Sequence, residues 1–385
     1  MIEVKNVSGD KKGMKDFVNF QYDLYRNDYN WAPPLKGDMK AKFNSEKDPF
    51  FEHGEAAFFV AYSNGKPAGR ITAHFDKTYE KKYKEKQGLF GFYESENNES
   101  VRDALLDAAE KWLLKHGRSY ILGPMNYTTN DNLGFMIKGH DRPPVVDMPW
   151  TKDYYEKLFD ATDYKKDMKM FSYVMDDVKE TPEIVKKAAA RIRKRHGESI
   201  EIRNLDMKKV DEQTRLMFDI YNEAWEGHWG FVPMSENKIK KTVESVKMIA
   251  DPRIMYFVYK DGEAVATLAS IPDINQIMMK NRNGNMFNPG FLFKFIKAKL
   301  TKMSPVSTFR IIIMGVRSKY RKLGLDYLLF DRIFDDGINR THYKNVEMGW
   351  ILENNRLMNS ILNKIGAEAL NHYTLYRKIL KKGNL

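Results

Sequence analysis

At 385 residues the chain exceeds one ordinary compact core, and its 42% hydrophobic content is ample for burial, so it reads as two folded domains and not as a disordered chain. There is no cysteine, which excludes disulfides, zinc–thiolate sites and any cysteine nucleophile or acyl-thioester relay. With 64 basic and 52 acidic residues the net charge is +12, which favours an anionic partner without choosing among a nucleotide, a nucleic acid and an acidic membrane face.

The start, Met1-Ile2-Glu3-Val4-Lys5, lacks a charged-then-apolar leader, and no apolar run approaches the roughly 18 residues of a membrane span. Both point to a cytoplasmic protein. A short strand is followed by helices over 14–27 and 35–43. From Phe59 to Ala73 the pattern is strand, Asn64-Gly65 turn, strand; the turn residues tolerate positive φ between β-rich flanks. A strand over 88–94, a helix over 101–116, a strand over 119–125, a short helix over 152–159 and a strand over 167–175 complete this half. Thr181-Pro182-Glu183-Ile184 begins a helix with Thr181 as cap and Pro182 first, ending at Gly197. Its basic face, with Lys187, Arg191 and Arg195, suits a solvated linker, and equally a patch facing a membrane or nucleic acid.

The same order then returns. Helices over 210–226 and 236–249 precede a second hairpin, Phe257 to Ala269, with an Asp261-Gly262 turn about one domain's length after the first. Strand 308–316, helix 326–339, strand 345–352, helix 355–365 and strand 370–379 follow. The expected fold class is therefore α/β (α+β, mixed sheet) in two tandem domains: 1–178, a basic linker helix over 179–198, and 199–385.

The sharpest motif lies in the second half. The β-rich run from Phe309 to Val316 ends at Arg317, and Arg321-Lys322-Leu323-Gly324-Leu325-Asp326 leads into an amphipathic helix. A strand, a basic glycine loop and a helix start together hold a pyrophosphate well, because unpaired backbone N–H groups and the helix dipole point at the anion. Gly324 allows close approach, and Arg317, Lys319, Arg321 and Lys322 supply positive charge. In this element order the loop resembles the coenzyme A signature, Arg/Gln-x-x-Gly-x-Gly/Ala, of the GNAT superfamily of acyl-CoA N-acyltransferases. That resemblance implies acyl-CoA (acetyl-CoA or a longer chain) as co-substrate and no metal. It places pantetheine on the backbone of Met314 and Val316, and phosphate on the amides of Arg321 to Asp326. Asp326 departs from the family, which usually has Gly or Ala there.

Asn355, in Glu353-Asn354-Asn355-Arg356, matches the second family signature and would face the cofactor; Leu362 stands where many members have a tyrosine general acid. The first half carries acidic Glu96-Asn97-Asn98-Glu99-Ser100 at the corresponding turn and is expected not to bind pyrophosphate. Together, Gly123-Pro124-Met125-Asn126, Gly134 to Gly139 and the run from Tyr221 to Pro233 resemble the YghO-type tandem GNAT proteins of bacteria. Those relatives include ceramide-synthase-like enzymes that acylate a sphingoid amine.

N-acylation requires an uncharged amine, hence a base. His228, among aromatics, is either such a base or a packed hydrogen-bonded residue; Glu347 is either a base beside the cleft or an edge-strand carboxylate. Glu223 and Tyr373 are further candidates. Trp225, Trp229, Phe231 and Asn126 are the expected acceptor-binding residues. Over 291–303, apolar Leu292, Phe293, Ile296, Leu300 and Met303 oppose Lys294, Lys297 and Lys302, a pattern that fits a helix on an anionic bilayer or one docked on the core. The expected partners are a small-molecule or lipid amine and peripheral contact with the inner membrane face. No specific nucleic acid is expected, since charge is the only feature favouring one. A non-catalytic acyl-CoA-binding module and a tandem-GNAT aminoacyl transferase are the alternatives.

Overall fold

The computed structural model describes residues 1–303 and 305–381. In chain order it runs β1 (Ile2–Asn6), α1 (Lys11–Leu24), α2 (Lys36–Lys42), β2 (Gly54–Ser63), β3 (Lys66–Asp76), α3 (Lys77–Tyr83), β4 (Gln87–Ser95) and α4 (Glu99–Lys115). Next come β5 (Tyr120–Gly123), β6 (Phe135–Lys138), α5 (Tyr155–Asp160), β7 (Lys165–Met175), α6 (Glu183–His196) and β8 (Ile200–Asn204). The remainder is α7 (Val210–Trp225), α8 (Glu236–Ile249), β9 (Met255–Lys260), β10 (Glu263–Pro272), α9 (Asn275–Met278), α10 (Pro289–Leu300) and β11 (Thr308–Val316). α11 (Leu325–Arg332), β12 (Asn345–Leu352), α12 (Arg356–Lys364) and β13 (Glu368–Ile379) close it.

Both expected hairpin turns form. Asn64 and Gly65 take φ of 50° and 77°, and Asp261 and Gly262 take 50° and 84°, so both central residues of each turn are left-handed, the geometry that matches strand twist. The cap of α6 falls at Pro182, whose carbonyl accepts from Val185 and Lys186; Thr181 is buried and makes no cap bond.

The chain divides into two compact units, and neither is one continuous stretch. Unit 1 comprises Met1–Met170, Met278–Phe291 and Asn371–Leu385; unit 2 comprises Phe171–Ile277 and Leu292–Leu370. In unit 1 the strand order is β1-β2-β3-β4-β5-β13, so β5 takes as its next neighbour a strand more than two hundred residues further along the chain, with which β6 also pairs. Period-two alternation sorts its core: Ala57, Phe59 and Ala61 of β2 join Val101, Leu105 and Leu113 of α4, whereas Phe58 and Val60 join Phe17, Val18 and Tyr22 of α1.

A buried polar cluster ties α1 to this sheet. Arg70 Nη1 donates to Phe17 O and Nη2 to Gln21 Oε1, both at 2.8 Å. Its register partner Glu94 accepts from the hydroxyls of Tyr25 (2.7 Å) and Tyr155 (2.8 Å). Burial pushes the Glu94 carboxyl up, with Arg70 and the two tyrosines opposing; removing either charge would strand the other away from water.

Unit 2 repeats the arrangement as β8-β9-β10-β11-β12, with β7 alongside β12. Met217, Phe218 and Tyr221 of α7 and Val243 of α8 pack on Met255, Phe257 and Ile313. α11 lies against β9, β10, β11 and α6. Among the described residues no helix is long and apolar enough to cross a membrane.

Candidate active site

In unit 2, β11 and β12 begin as neighbours and then part. Their parallel pairing runs only from Thr308–Asn345 to Ile311–Met348, although β11 continues to Val316 and β12 to Leu352. β10 stays beside β11 as far as the pair Ala266–Val316. The stretch from Ile312 to Val316 is thus covered by a strand on one edge and faces a wedge on the other. Arg317 N–H donates to Val265 O at 2.9 Å. Because alternate residues of an antiparallel ladder turn their peptide groups toward the partner, Ile313 and Gly315 address β10, and Met314 and Val316 address the wedge.

At the mouth of the wedge the chain turns through a short 3₁₀ segment, Ser318–Leu323, and enters α11 through Gly324. Gly324 has φ +73°, and a Cβ there would lie 3.1 Å from Ile192 Cδ1, so a side chain is both strained and crowded. Gly324 also offers no side chain to cap the first amides of α11. Leu325 is buried and Leu323 half-buried, so apolar contacts seat both ends of the turn.

The basic residues of this loop divide into two kinds. Arg317 is spent on anchoring: Nε donates to Ala264 O (2.9 Å), Nη1 to Glu223 Oε2 (2.6 Å) and Nη2 to Asp219 Oδ2 (2.5 Å). Glu223 Oε1 accepts from Ser318 N–H (2.8 Å). Burial pushes the Glu223 carboxyl up, but the Arg317 and Ser318 hydrogen bonds outweigh it and hold it below the usual carboxylate range. With both oxygens occupied, Glu223 acts as an anchor for the loop. Arg321 Nη2 likewise donates to Ala224 O at 2.8 Å, at the end of α7. Lys319 and Lys322 are exposed on the loop, Lys319 lying over the Tyr320 ring at 5.2 Å.

Glu347 sits one residue before the strands part and is 3% exposed. The Ser172 hydroxyl of β7 donates to its Oε1, and its register partner is Arg310, 5% exposed, which donates through Nη2 to Gly349 O at 2.8 Å. A Cβ at Gly349 would lie 2.7 Å from Ser172 Oγ, so that close approach requires glycine. Glu347 is therefore a buried carboxylate, hydrogen-bonded and fixed, at the apex of the wedge.

His228 follows α7. Its Nδ1 lies 3.2 Å from Trp225 O, and since a carbonyl only accepts, Nδ1 is the donor in that hydrogen bond. The Trp225 ring is 5.2 Å from the His228 ring and meets Trp350 edge-on at 6.2 Å. Phe231 is buried against Tyr221, and Trp229 is half-buried. Asn355 caps α12, its Oδ1 accepting from Met358 N–H at 3.2 Å. Tyr373 belongs to unit 1, fully buried on β13 as register partner of Met136.

Asn126 also belongs to unit 1, and there it shows why the two units differ. β4 and β5 pair over only Gln87–Tyr120 to Leu89–Leu122 before parting, as β11 and β12 do. This wedge, however, is filled by the chain itself. Met125 N–H donates to Phe90 O (2.8 Å), and Asn126 Oδ1 accepts from Phe92 N–H (2.7 Å). Met125 O would be 2.1 Å from a Cβ at Gly91. At the start of α4, Asn98 Oδ1 accepts from Ser100 N–H (2.9 Å) and Val101 N–H (3.3 Å), a side-chain cap that Gly324 does not supply to α11 in unit 2. Ser172 and Arg310 carry no signal in the sequence, and Asn126, expected to bind the acceptor, instead helps to fill the wedge of unit 1; Gly91 within β4 and Gly349 within β12 are the signals of close approach.

No family model matches the chain. It is 32% identical over 376 residues to Protein YghO of Escherichia coli (strain K12), spanning 96% of this chain and 93% of YghO. It is 30% identical over 374 residues to the bacterial ceramide synthase of Caulobacter vibrioides, spanning 95% of each. The chain belongs to this family. Among solved structures, the tandem GNAT protein from the clavulanic acid biosynthesis pathway matches with a TM-score of 0.57 at 10% identity over 99% of both chains. A GCN5-related N-acetyltransferase from Anabaena variabilis ATCC 29413 matches with a TM-score of 0.51 at 8% identity, over all of this chain and 74% of its own. These likenesses establish the tandem GNAT fold.

Asp326 stands in the first turn of α11. Burial pushes its carboxyl up, and the N–H groups of Asp326 and Tyr327 only partly offset this. A raised folded-state pKa means the folded protein holds the proton more tightly than the unfolded chain. The corresponding stability is complete below the unfolded value and is lost as pH rises through the folded one. Asp326→Asn is therefore expected to raise Tm at neutral pH, with the difference vanishing near the unfolded carboxylate pKa of about 3.9. Thermal melts at the two pH values check this. Removing one negative charge from the loop is also expected to tighten acyl-CoA binding by roughly fivefold.

Proposed function

We propose that this protein transfers an acyl group from acyl-CoA to the amine of a lipid-like acceptor, with a long-chain amino alcohol as the first choice. The observation that carries the reading is the wedge of unit 2: peptide groups of Met314 and Val316 facing a parted strand, with the Gly324 turn and the start of α11 at its mouth. A pantetheine arm carries amides that pair with such a strand edge, and a pyrophosphate suits such a helix start. Lys319 and Lys322 are the side chains placed to add charge there. The choice of acceptor follows the relative named a bacterial ceramide synthase, since a ceramide is the amide of a long-chain amino alcohol.

In this reading Glu347 takes the proton from the acceptor's ammonium, directly or through one water, and the Ser172 hydroxyl holds it in place. His228 is the second candidate. The free amine then forms a C–N bond to the thioester carbonyl carbon, the C–S bond breaks, and the proton that nitrogen loses on becoming an amide passes through water to the CoA thiolate. Leu362 is buried on α12 and has no proton to give. Trp225 and Trp229, both half-buried, are the residues offered to the acceptor, and Phe231, buried against Tyr221, supports them from behind.

Because the chain has no cysteine, release of CoA can be followed with a thiol-reactive dye without background from the protein. The expected result is acyl-CoA-dependent thiol release that is faster with long-chain amino alcohols than with short ones. Acyl-CoA binding without turnover across both sets of amines would sink the enzyme reading.

A further inference from the structure

α10 carries apolar side chains on two faces. At about 100° per residue, Leu292, Phe293, Ile296 and Leu300 fall within one arc of roughly 100°. In the folded protein they are 43%, 69%, 49% and 81% exposed, while Phe291 and Ala298, on the far side of the helix, are buried. The buried face docks the helix, and the second stripe faces solvent. An ordinary surface helix turns a polar face outward, so this stripe is unusual for a helix already docked.

Charge indicates what covers it. Lys297 and Lys299 flank the stripe, one on either border, with Lys294 and Lys302 further round, and all four are exposed. No Asp or Glu occurs between Asp273 and Asp326. Apolar side chains framed by lysines, in a stretch of sequence without acids, match the acyl boundary and headgroups of an anionic bilayer, where lysine stems lie along lipid while their ammonium groups reach the headgroups. A protein partner would be expected to supply acids, and nothing in the stripe selects for one.

We propose that α10 docks this protein on the surface of anionic lipid bilayers through Leu292, Phe293, Ile296 and Leu300, with Lys297 and Lys299 on the headgroups. The inference goes beyond the acyltransferase reading and does not depend on it. If both hold, a lipid-like amine need not leave the bilayer entirely to be acylated.

The test uses the full chain and vesicles of phosphatidylcholine with or without about one-third phosphatidylglycerol, read by co-sedimentation in the absence of acyl-CoA and amine. Binding to the anionic vesicles is expected, at least roughly tenfold stronger than to neutral ones and weakened by salt. Phe293→Asp/Leu300→Asp is expected to abolish it with an unchanged thermal melt, because both side chains are exposed. Lys297→Gln/Lys299→Gln is expected to weaken it by roughly fivefold per lysine. Equal binding to neutral vesicles, or unchanged binding by the aspartate variant, overturns the proposal. So does a protein that ignores vesicles and forms a dimer which the aspartate variant dissolves, since the stripe would then be covered by a second copy. Inactive protein that still binds vesicles leaves this inference standing, and active protein that does not bind them leaves the acyltransferase reading standing.

Discussion

Glu347→Gln is expected to lower kcat for acyl transfer by roughly a hundredfold or more, while acyl-CoA affinity stays within about twofold. The substitution keeps the shape of a side chain that is 3% exposed and keeps an acceptor oxygen for the Ser172 hydroxyl, but it removes the group able to take a proton. A purely structural role would show itself differently, as a lower Tm with an unchanged pH profile. The proposed role predicts that the acidic limb of the wild-type pH–rate profile, which reports the base, is absent from the residual activity of the variant. If kcat falls by less than threefold, Glu347 is not the base and His228 takes its place; His228→Gln then becomes the variant with the large effect.

Gly324→Val is expected to cost at least roughly tenfold in acyl-CoA affinity. Two effects act together. A non-glycine residue in the left-handed region costs about 1–2 kcal/mol, and more for a β-branched one, so the turn either strains or rearranges. The new Cβ also meets Ile192 Cδ1 at 3.1 Å, pressing α6 away from the start of α11. Either response moves the amides that the phosphate would use. Isothermal titration with acyl-CoA measures the loss, and a melt of the same sample shows how much of it belongs to the fold.

Much of this architecture is legible in the sequence. Both hairpins follow from a two-residue turn that accepts positive φ, and β11, α8 and β12 form with the bounds that hydrophobic patterning and caps suggest. The Gly324 turn is readable because the requirement is local: strand, positive-φ glycine, helix. What was not legible is what depends on residues far apart. Ser172 and Glu347 lie 175 positions apart, and nothing in either neighbourhood signals the other. Arg317 reads as charge for a phosphate, yet α7 brings Asp219 and Glu223 beside it and turns it into an anchor. The acidic turn after β4 suggested a unit without pyrophosphate binding, but the filling of its wedge by Met125 and Asn126 could not be foreseen, since a short strand ending in Gly-Pro gives no hint of where the chain goes next. Nor does the pattern of β13, equally apolar wherever it pairs, reveal that it completes the sheet of unit 1.

In the proposed mechanism only the wedge of unit 2 takes acyl-CoA. Native mass spectrometry of the full chain with acetyl-CoA and with a long-chain acyl-CoA tests it most directly. The predicted result is one acyl-CoA per chain, lost on Gly324→Val. Two bound per chain, or one that survives Gly324→Val unchanged, would contradict it.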